Sequence, residues 1–430
     1  MALTGRTGLL AACGVLLIFA LPSVELLLAL NAALVLAVVA DAGLAVSPRL
    51  PTLTRSGATA VRLGETAEVR LRLHNPAARP LRLILRDAWP PSAGSSPRTH
   101  RLVVPPGEQR VLTTVLTPTR RGDRRPAFVA LRSIGPLGLA GRQRRRDVPW
   151  ALRVLPGFPS RRHLPAKLAR LRELSGGAAT LLRGQGTEFD SLREYVIGDD
   201  VRSIDWRATA RRGDVVVRTW RPERNRRVVL VLDTGRTSAA RIGDAPRLDA
   251  ALDAALLLAA LASRAGDTVD LIAYDSRLRA AVGKTGPTAL LAAVVNATAA
   301  LTPALVESDM AGMAAEVLRR APRHCLVVLL TSLDSAPVEE GLLPTLGSLT
   351  SRHAVVVASV ADPALAVLAA GRGDVRAVYA AAAAERTLAD RAQVAARLRR
   401  AGVEVVEAPP AELAPALADS YLARKASGRL

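Results

Sequence analysis

Arg227 to Ser238 reads RVVLVLDTGRTS, and this stretch decides the architecture of the carboxy-terminal half. Residues 228–232 are an unbroken run of Val and Leu, too short for a helix and without the alternation of a half-exposed strand, so they predict a strand buried on both faces. The run stops at a carboxylate, Asp233. An Ala/Leu-rich helical pattern follows over 248–264, then a second apolar strand over 269–274. Further strands are expected at 326–330, 354–360 and 403–405, separated by helical stretches near Leu290, Leu342, Ala364 and Ala389. Apolar strands alternating with helices predict a parallel sheet covered on both faces, a doubly wound α/β domain over 227–430. Ligands of such sheets sit at the carboxyl ends of the strands. That places Asp233, Asp275 and the Thr331-Ser332-Leu333-Asp334 loop on the candidate face.

Upstream of this domain the pattern changes twice. Residues 47–156 carry alternating runs, such as 67–73 and 81–85, with turn signals at Asn75-Pro76, Pro90-Pro91, Pro105-Pro106-Gly107 and Arg121-Gly122-Asp123. Short strands and regular turns predict a small antiparallel β-sandwich, with interaction or spacing as its default role. Residues 7–40 are almost wholly apolar, broken by Pro22, Glu25 and Asn31, and predict a transmembrane helical hairpin within 1–46. Arg6 precedes the first span, Arg49 and Arg55 follow the second, and the turn between them has no positive charge. The positive-inside rule then sets both termini and the soluble domains in the cytoplasm, anchored to the inner or plasma membrane.

The 430 residues are half apolar but hold only four Phe, four Tyr and four Trp, so the cores must be built from Ala, Leu and Val. Two cysteines imply no disulfide framework. The formal charge of +21, carried almost entirely by arginine, favours anionic partners. Arg120, Arg121, Arg124, Arg125, Arg142, Arg144, Arg145 and Arg146 cluster in one short interval, for which membrane lipid is the expected partner. A recognition helix or stacking platform is not discernible, so no nucleic acid is expected.

Residues 157–226 form a charged segment in which Glu188, Asp190, Arg193, Glu194, Asp199, Asp200, Arg202, Asp205, Arg207, Arg211 and Arg212 alternate in sign around Tyr195, Trp206 and Trp220. Two readings compete. Arginine forks pairing carboxylates would lock the segment structurally; Trp, Tyr and Arg are also the residue types that dominate binding at protein interfaces. A third use, acid–base or metal chemistry by Asp199, Asp200, Asp205 and Asp233, would make the chain a hydrolase or nuclease. Gly283-Lys284-Thr285 imitates a phosphate loop but lacks its first glycine, and His324-Cys325 enters a strand as core. No nucleophile elbow, zinc-protease helix or Ser/His/Asp arrangement can be assembled, so an enzyme is not expected.

Asp233-Thr234-Gly235-Arg236-Thr237-Ser238 resembles the Asp-x-Ser-x-Ser loop with which von Willebrand factor A domains hold a divalent ion. Gly235 replaces the first serine and Ser332 stands where a later aspartate is usual. The candidate ligand set for Mg or Mn is Asp233, Thr237, Ser308 (or Asp309) and Asp334.

The charged segment itself resembles a family motif along its whole length. Gly184, Gly186, Glu188 and Phe189, then Leu192-Arg193-Glu194-Tyr195, Gly198-Asp199-Asp200 with Arg202, Ile204-Asp205-Trp206 and Thr209-Ala210-Arg211, are similar to the motif of the bacterial membrane-anchored proteins of domain of unknown function fifty-eight. The resemblance implies two amino-terminal spans, a β-rich region and a von Willebrand A-like domain. It also implies partnership with a MoxR-type AAA+ ATPase and a client, in assembly or maturation of other complexes. The chain is thus expected to be an adaptor or scaffold, with the motif residues binding a partner or holding structure.

Overall fold

The computed structural model describes residues 2–181, 188–221, 226–283 and 285–428, in two compact units, Met1–Leu155 and Pro156–Leu430. Gly184, Gly186 and Lys284 lie outside the described residues.

In the first unit, helices Gly5–Ala20 and Val24–Leu44 are joined at Leu21-Pro22-Ser23, with the Ser23 side chain capping the second. Val24–Leu44 has mean hydropathy 2.2 and is long and apolar enough to cross a membrane. Gly5–Ala20 is shorter, 16 residues, which at a rise of ~1.5 Å each falls short of a ~30 Å hydrocarbon core. The start of the first helix and the end of the second meet at one turn, residues 135–140. Thr4 Oγ1 donates to Gly138 O at 2.6 Å and Thr7 Oγ1 to Leu139 O at 2.5 Å. Asp41 is fully buried, its Oδ1 accepting from Leu137 N at 2.7 Å and its Oδ2 from Leu139 N and Ala140 N at 2.7 and 2.8 Å. The helices are therefore antiparallel. Gly135 is required there, since a Cβ would lie 2.3 Å from both Asp41 O and Asp41 Oδ1.

Two antiparallel sheets follow. Five strands run in the order Ala2–Leu3, Ala140–Arg146, Phe128–Ile134, Leu81–Ala88, Thr99–Val104; four run Thr52–Gly57, Ala67–His74, Gln109–Leu116, Ser95–Ser96. Inward residues Leu71 and Leu73 of one sheet share a core with Leu81, Leu83, Leu85, Val129 and Leu131 of the other. A small third sheet pairs Ala60–Arg62 with Leu152–Leu155 in parallel. The strand expected at 81–85 continues to Ala88 although Asp87 then points inward. Its carboxylate is paired there by Arg55 (2.9 and 3.3 Å) and by Trp89 Nε1 (2.8 Å), which replaces the water it loses.

The second unit holds a six-stranded sheet in the order Leu278–Val282, Thr268–Tyr274, Arg227–Asp233, Leu326–Leu330, Ala354–Val360, Glu404–Ala408. Five strands are parallel, as expected, but the expectation of a wholly parallel sheet is corrected at the Leu278–Val282 edge, which is antiparallel. The physical reason is length: residues 275–277 make a hairpin loop, whereas a parallel crossover takes about a dozen residues or more. Val229, Val231, Val327, Leu329, Val355 and Val357 pack one face of the sheet against Met310–Arg320, Leu343–Thr350 and Val375–Arg400. Helix Arg247–Arg264, buried along nearly its whole length, packs beside Arg227–Asp233 and against Pro410–Ala426. With the sheet interior apolar, polar groups collect where the parallel strands end.

Candidate functional site

Asp233 ends the central strand, 1 % exposed, and every one of its carboxylate's hydrogen-bonding directions is used. Oδ1 accepts from Gly235 N at 2.9 Å and Ser308 Oγ at 2.5 Å. Oδ2 accepts from Thr331 Oγ1 at 2.7 Å and Thr237 Oγ1 at 3.3 Å. Four donors meet the roughly four lone-pair directions of a carboxylate, so the side chain is fixed in place. Ser238 Oγ donates to Asp233 O at 2.6 Å and folds the loop into the short Arg236–Ala239 turn.

Gly235 shapes this arrangement through space. Its φ of −79° is open to any L residue, but a Cβ would lie 2.1 Å from Ser308 Oγ and 3.0 Å from Val306 O. Ser308, brought in by a distant loop, stands where a hydroxyl at position 235 would otherwise reach. Asp309, the alternative to Ser308, instead caps helix Met310–Arg320 by accepting from Gly312 N.

Two further carboxylates lie along the same edge. Asp275 accepts from Arg279 Nη1 at 2.6 Å, Thr234 Oγ1 at 3.2 Å and Arg277 N at 3.2 Å. Burial alone would raise its pKa, but the Arg279 guanidinium and the backbone donors outweigh it and hold the group below the usual carboxylate value. Asp334 is held by Arg247 at 3.4 Å and Arg391 at 3.3 Å. Arg391 is itself buried, with Glu407 at 2.7 Å and Ser359 Oγ at 3.2 Å as partners. Arg247 also donates to Thr237 O at 3.2 Å, which links this ion-pair group to the Asp233 cluster.

Of the expected metal ligands, Asp233, Thr237 and Ser308 converge on one point, joined by Thr331, which the loop spacing had not singled out. Asp334 is the correction to that set, because two guanidiniums have taken its carboxylate. The surrounding donors are all oxygens, as a hard cation prefers, but they bring a single negative charge. No group of three His, Cys, Asp or Glu side chains that could hold a metal occurs among the described residues. Ser332, at the place of the usual aspartate, is buried, and its Oγ has no hydrogen-bond partner among the described residues. The residues present therefore do not fit a tightly held divalent ion.

The motif segment is a second site, a hairpin of Glu188–Glu194 with Val216–Arg221 that encloses a short helix, Trp206–Arg212. The motif carboxylates at 199, 200 and 205, with Arg193 and Thr209, have folding roles. Gly198 takes φ +109°, a conformation glycine adopts freely, and turns the chain. Asp199 then reaches back to Arg193 (2.5 and 2.7 Å) and to Val196 N (3.0 Å), and these partners hold its pKa below the usual range. Asp200 caps Val201–Ser203 by accepting from Arg202 N at 2.9 Å. Asp205 caps the helix through Arg207 N and Ala208 N, and pairs with Arg218. Thr209 Oγ1 accepts from Val216 N at 3.2 Å and ties the helix to the returning strand, while Tyr195 N donates to Val215 O at 2.8 Å. Glu194, Arg202 and Arg211 are exposed, and Glu188 and Phe189 pair by register with Arg221 and Trp220.

Val216 and Val217 of the hairpin are buried, but other apolar residues are not. Val196, Ile197, Val201 and Trp206 are 62, 97, 63 and 67 % exposed.

Residues 191–404 match the family described as protein of unknown function DUF58, and residues 59–132 match the family described as abnormal spindle-like microcephaly-associated, ASPM-SPD-2-Hydin. Uncharacterized proteins of Mycobacterium tuberculosis and Mycobacterium bovis are each 29 % identical to the chain over 194 residues, 44 % of this chain and 60 % of theirs. The chain thus spans about 60 % of the length of the curated relatives it matches. Among solved structures, the CARDB domain of the PF1109 protein from Pyrococcus furiosus is similar with TM-score 0.19 and 18 % identity, over 25 % of this chain and 92 % of that one. Native alpha-2-macroglobulin from Escherichia coli is similar with TM-score 0.20 and 14 % identity, over 24 % and 16 %. Through residues 191–404, which hold most of the motif hairpin and nearly all of the mixed α/β sheet, the chain belongs to the DUF58 family.

Proposed function

We propose that the chain is a membrane-anchored adaptor whose motif hairpin docks a partner protein. The observation that carries this reading is the division of roles within the hairpin. Its described carboxylates at 199, 200 and 205 are engaged in pairing and capping, so they hold the fold, while Val196, Ile197, Val201 and Trp206 are left on the surface. Exposed apolar side chains clustered in one short segment are a usual mark of a protein interface, and tryptophan is prominent among binding hot spots. The helical pair at the amino terminus serves as the membrane hairpin, with both ends on the cytoplasmic side of the inner or plasma membrane. A MoxR-type AAA+ ATPase and its client are the partners that the motif's resemblance favours. The α/β unit is read as von Willebrand A-like, supported by Asp233, Thr237 and Ser308 meeting at the end of its central strand. Docking in this reading needs no bridging metal.

The test is binding of the full chain, reconstituted in nanodiscs, to a purified MoxR-type ATPase. Ile197→Asp and Trp206→Ala are each expected to weaken binding by roughly thirty-fold or more, as loss of a hot spot does. Affinities within two-fold of wild type in both variants would exclude the hairpin as the docking surface. A hydrolase reading gains no favouring observation, because Asp199, Asp200, Asp205 and Asp233 are already held by guanidinium, backbone or hydroxyl donors.

A further inference from the structure

The outward face of the five-stranded sheet is engaged in none of the roles above. Strand register sets Ile84 opposite Arg101 and Arg132, Arg86 opposite Thr99 and Ala130, and Arg82 opposite Val103. On the next strand, Gln143 and Arg145 lie opposite Arg132 and Ala130. The alternate residues Leu83, Leu85, Val129 and Leu131 are buried, so this set points away from the core. Two contacts confirm the shared face: Arg145 lies over the Phe128 ring, 4.6 Å from its centroid, and Arg132 Nη2 donates to Gln143 Oε1 at 2.8 Å. Five arginines, 82, 86, 101, 132 and 145, are thus interleaved with Ile84, Phe128 and the 54 % exposed Val103. No carboxylate stands at the paired strand positions of this face, and none of the five guanidiniums forms an ion pair with a described residue. The outward face of the other sheet differs, with Glu68 paired to Arg70 at 3.4 Å.

Like charges on neighbouring strands repel, so the fold does not call for this face. Its position supplies a reason. Arg82 Nη1 donates to Pro136 O at 2.8 Å, in the same turn that Thr4, Thr7 and Asp41 tie to the ends of both helices. From Arg82 to Arg86 the strand runs about 13 Å, so the face starts at the helix ends, with Arg82 and, across from Ile84, Arg101 and Arg132 within a Debye length of about 8 Å of that end.

We propose that this sheet face binds the anionic phospholipid headgroups of the bilayer entered by the helical pair. The inference rests on the membrane-anchor reading. Guanidinium forks match phosphate oxygens, and Ile84 and Val103, on the side of Arg82 and the helix ends, are placed to enter the boundary between headgroups and acyl chains. Duplex DNA is the poorer occupant, because this face offers no helix or two-stranded ribbon to a groove, whereas the anchor holds headgroups permanently near it.

The full chain is reconstituted into phosphatidylcholine vesicles with a trace of spin-labelled phosphatidylglycerol or spin-labelled phosphatidylcholine, and the protein-bound fraction of each is measured. Wild type is expected to prefer phosphatidylglycerol by about five-fold or more, the worth of one surface arginine, and to lose the preference as salt rises. The variant R82Q/R86Q/R101Q/R132Q/R145Q is expected to fall close to unity, while R70Q/R72Q/R110Q on the other sheet keeps the preference. An equal preference in the five-arginine variant, or a wild-type preference indifferent to salt, overturns the proposal. So does binding of labelled duplex DNA that phosphatidylglycerol vesicles fail to compete away. Loss of the chain from vesicles in alkaline carbonate would remove the anchor reading and this inference together; retention without lipid preference removes this inference alone.

Discussion

Gly235→Ser and Ser308→Ala should cost stability singly but not twice over. A Cβ at 235 lies 2.1 Å from Ser308 Oγ, far inside any contact that real atoms keep. The obstacle is a side chain, so Ser308 gives way by rotation and its 2.5 Å hydrogen bond to Asp233 Oδ1 is lost. A hydrogen bond to a charged group contributes about 1.5–3 kcal/mol. Ser308→Ala deletes the same bond and should cost about the same. In the double variant the space is free, and the Cβ at 235, only 3.3 Å from Asp233 Oδ1, brings a new hydroxyl within reach of that oxygen. The 3.0 Å approach to Val306 O is present with and without Ser308, so it cancels from the cycle. The expected coupling is therefore at least about 1.5–3 kcal/mol, with the double variant no worse than Gly235→Ser alone. The assay is hydrogen exchange of the full chain in increasing urea, read from the Arg227–Asp233 and Leu326–Leu330 strands. Costs that add to within about 0.5 kcal/mol would show that Gly235 and Ser308 do not compete for one place.

Asp41→Ala strands the amides of Leu137, Leu139 and Ala140; at about 1–3 kcal/mol for each buried donor left unpaired, their exchange should quicken by roughly a hundred-fold or more. Unchanged exchange would mean that the turn is held otherwise. Asp275 has a folded pKa below its unfolded value near 3.9, so its contribution is complete above about pH 4 and disappears as pH falls through the lower folded value. Asp275→Asn is accordingly expected to flatten the acid limb of the urea midpoint against pH, and an identical limb would contradict the pairing with Arg279. Addition of 10 mM Mg or Mn should raise the opening free energy at Asp233 by no more than about 0.4 kcal/mol, as for a dissociation constant no tighter than 10 mM. A rise of about 2 kcal/mol or more would show that the hydroxyl-rich cluster holds a cation after all.

Elements whose stability is local, or whose burial is complete, were legible in the residues. Strands Leu326–Leu330 and Ala354–Val360 have the expected limits, because a strand covered on both faces is predominantly apolar, Ser359 being buried with Arg391 as its partner. The last strand was expected at 403–405 and runs Glu404–Ala408, since an edge strand tolerates Glu404 and Glu407. The antiparallel edge Leu278–Val282 escaped notice, its LRAAV sequence giving little periodicity. In the motif, pairing of charges was anticipated, and Arg193 with Asp199 is a short-range case; Arg218 reaches Asp205 only through the returning strand.

By itself the sequence determined the alternation of buried strands and helices, the apolar amino-terminal pair, the alternating β region and the motif of the DUF58 family. These rest on burial period and on short-range turn and cap chemistry, which neighbouring residues settle among themselves. The tertiary structure alone decided that Ser308 rather than Asp309, with Thr331, completes the shell of Asp233, that Arg391 and Arg247 withdraw Asp334 from it, and that five arginines from four strands share one face. Each of these joins residues far apart in the chain, so their distances are set by strand order and register, which no local pattern encodes.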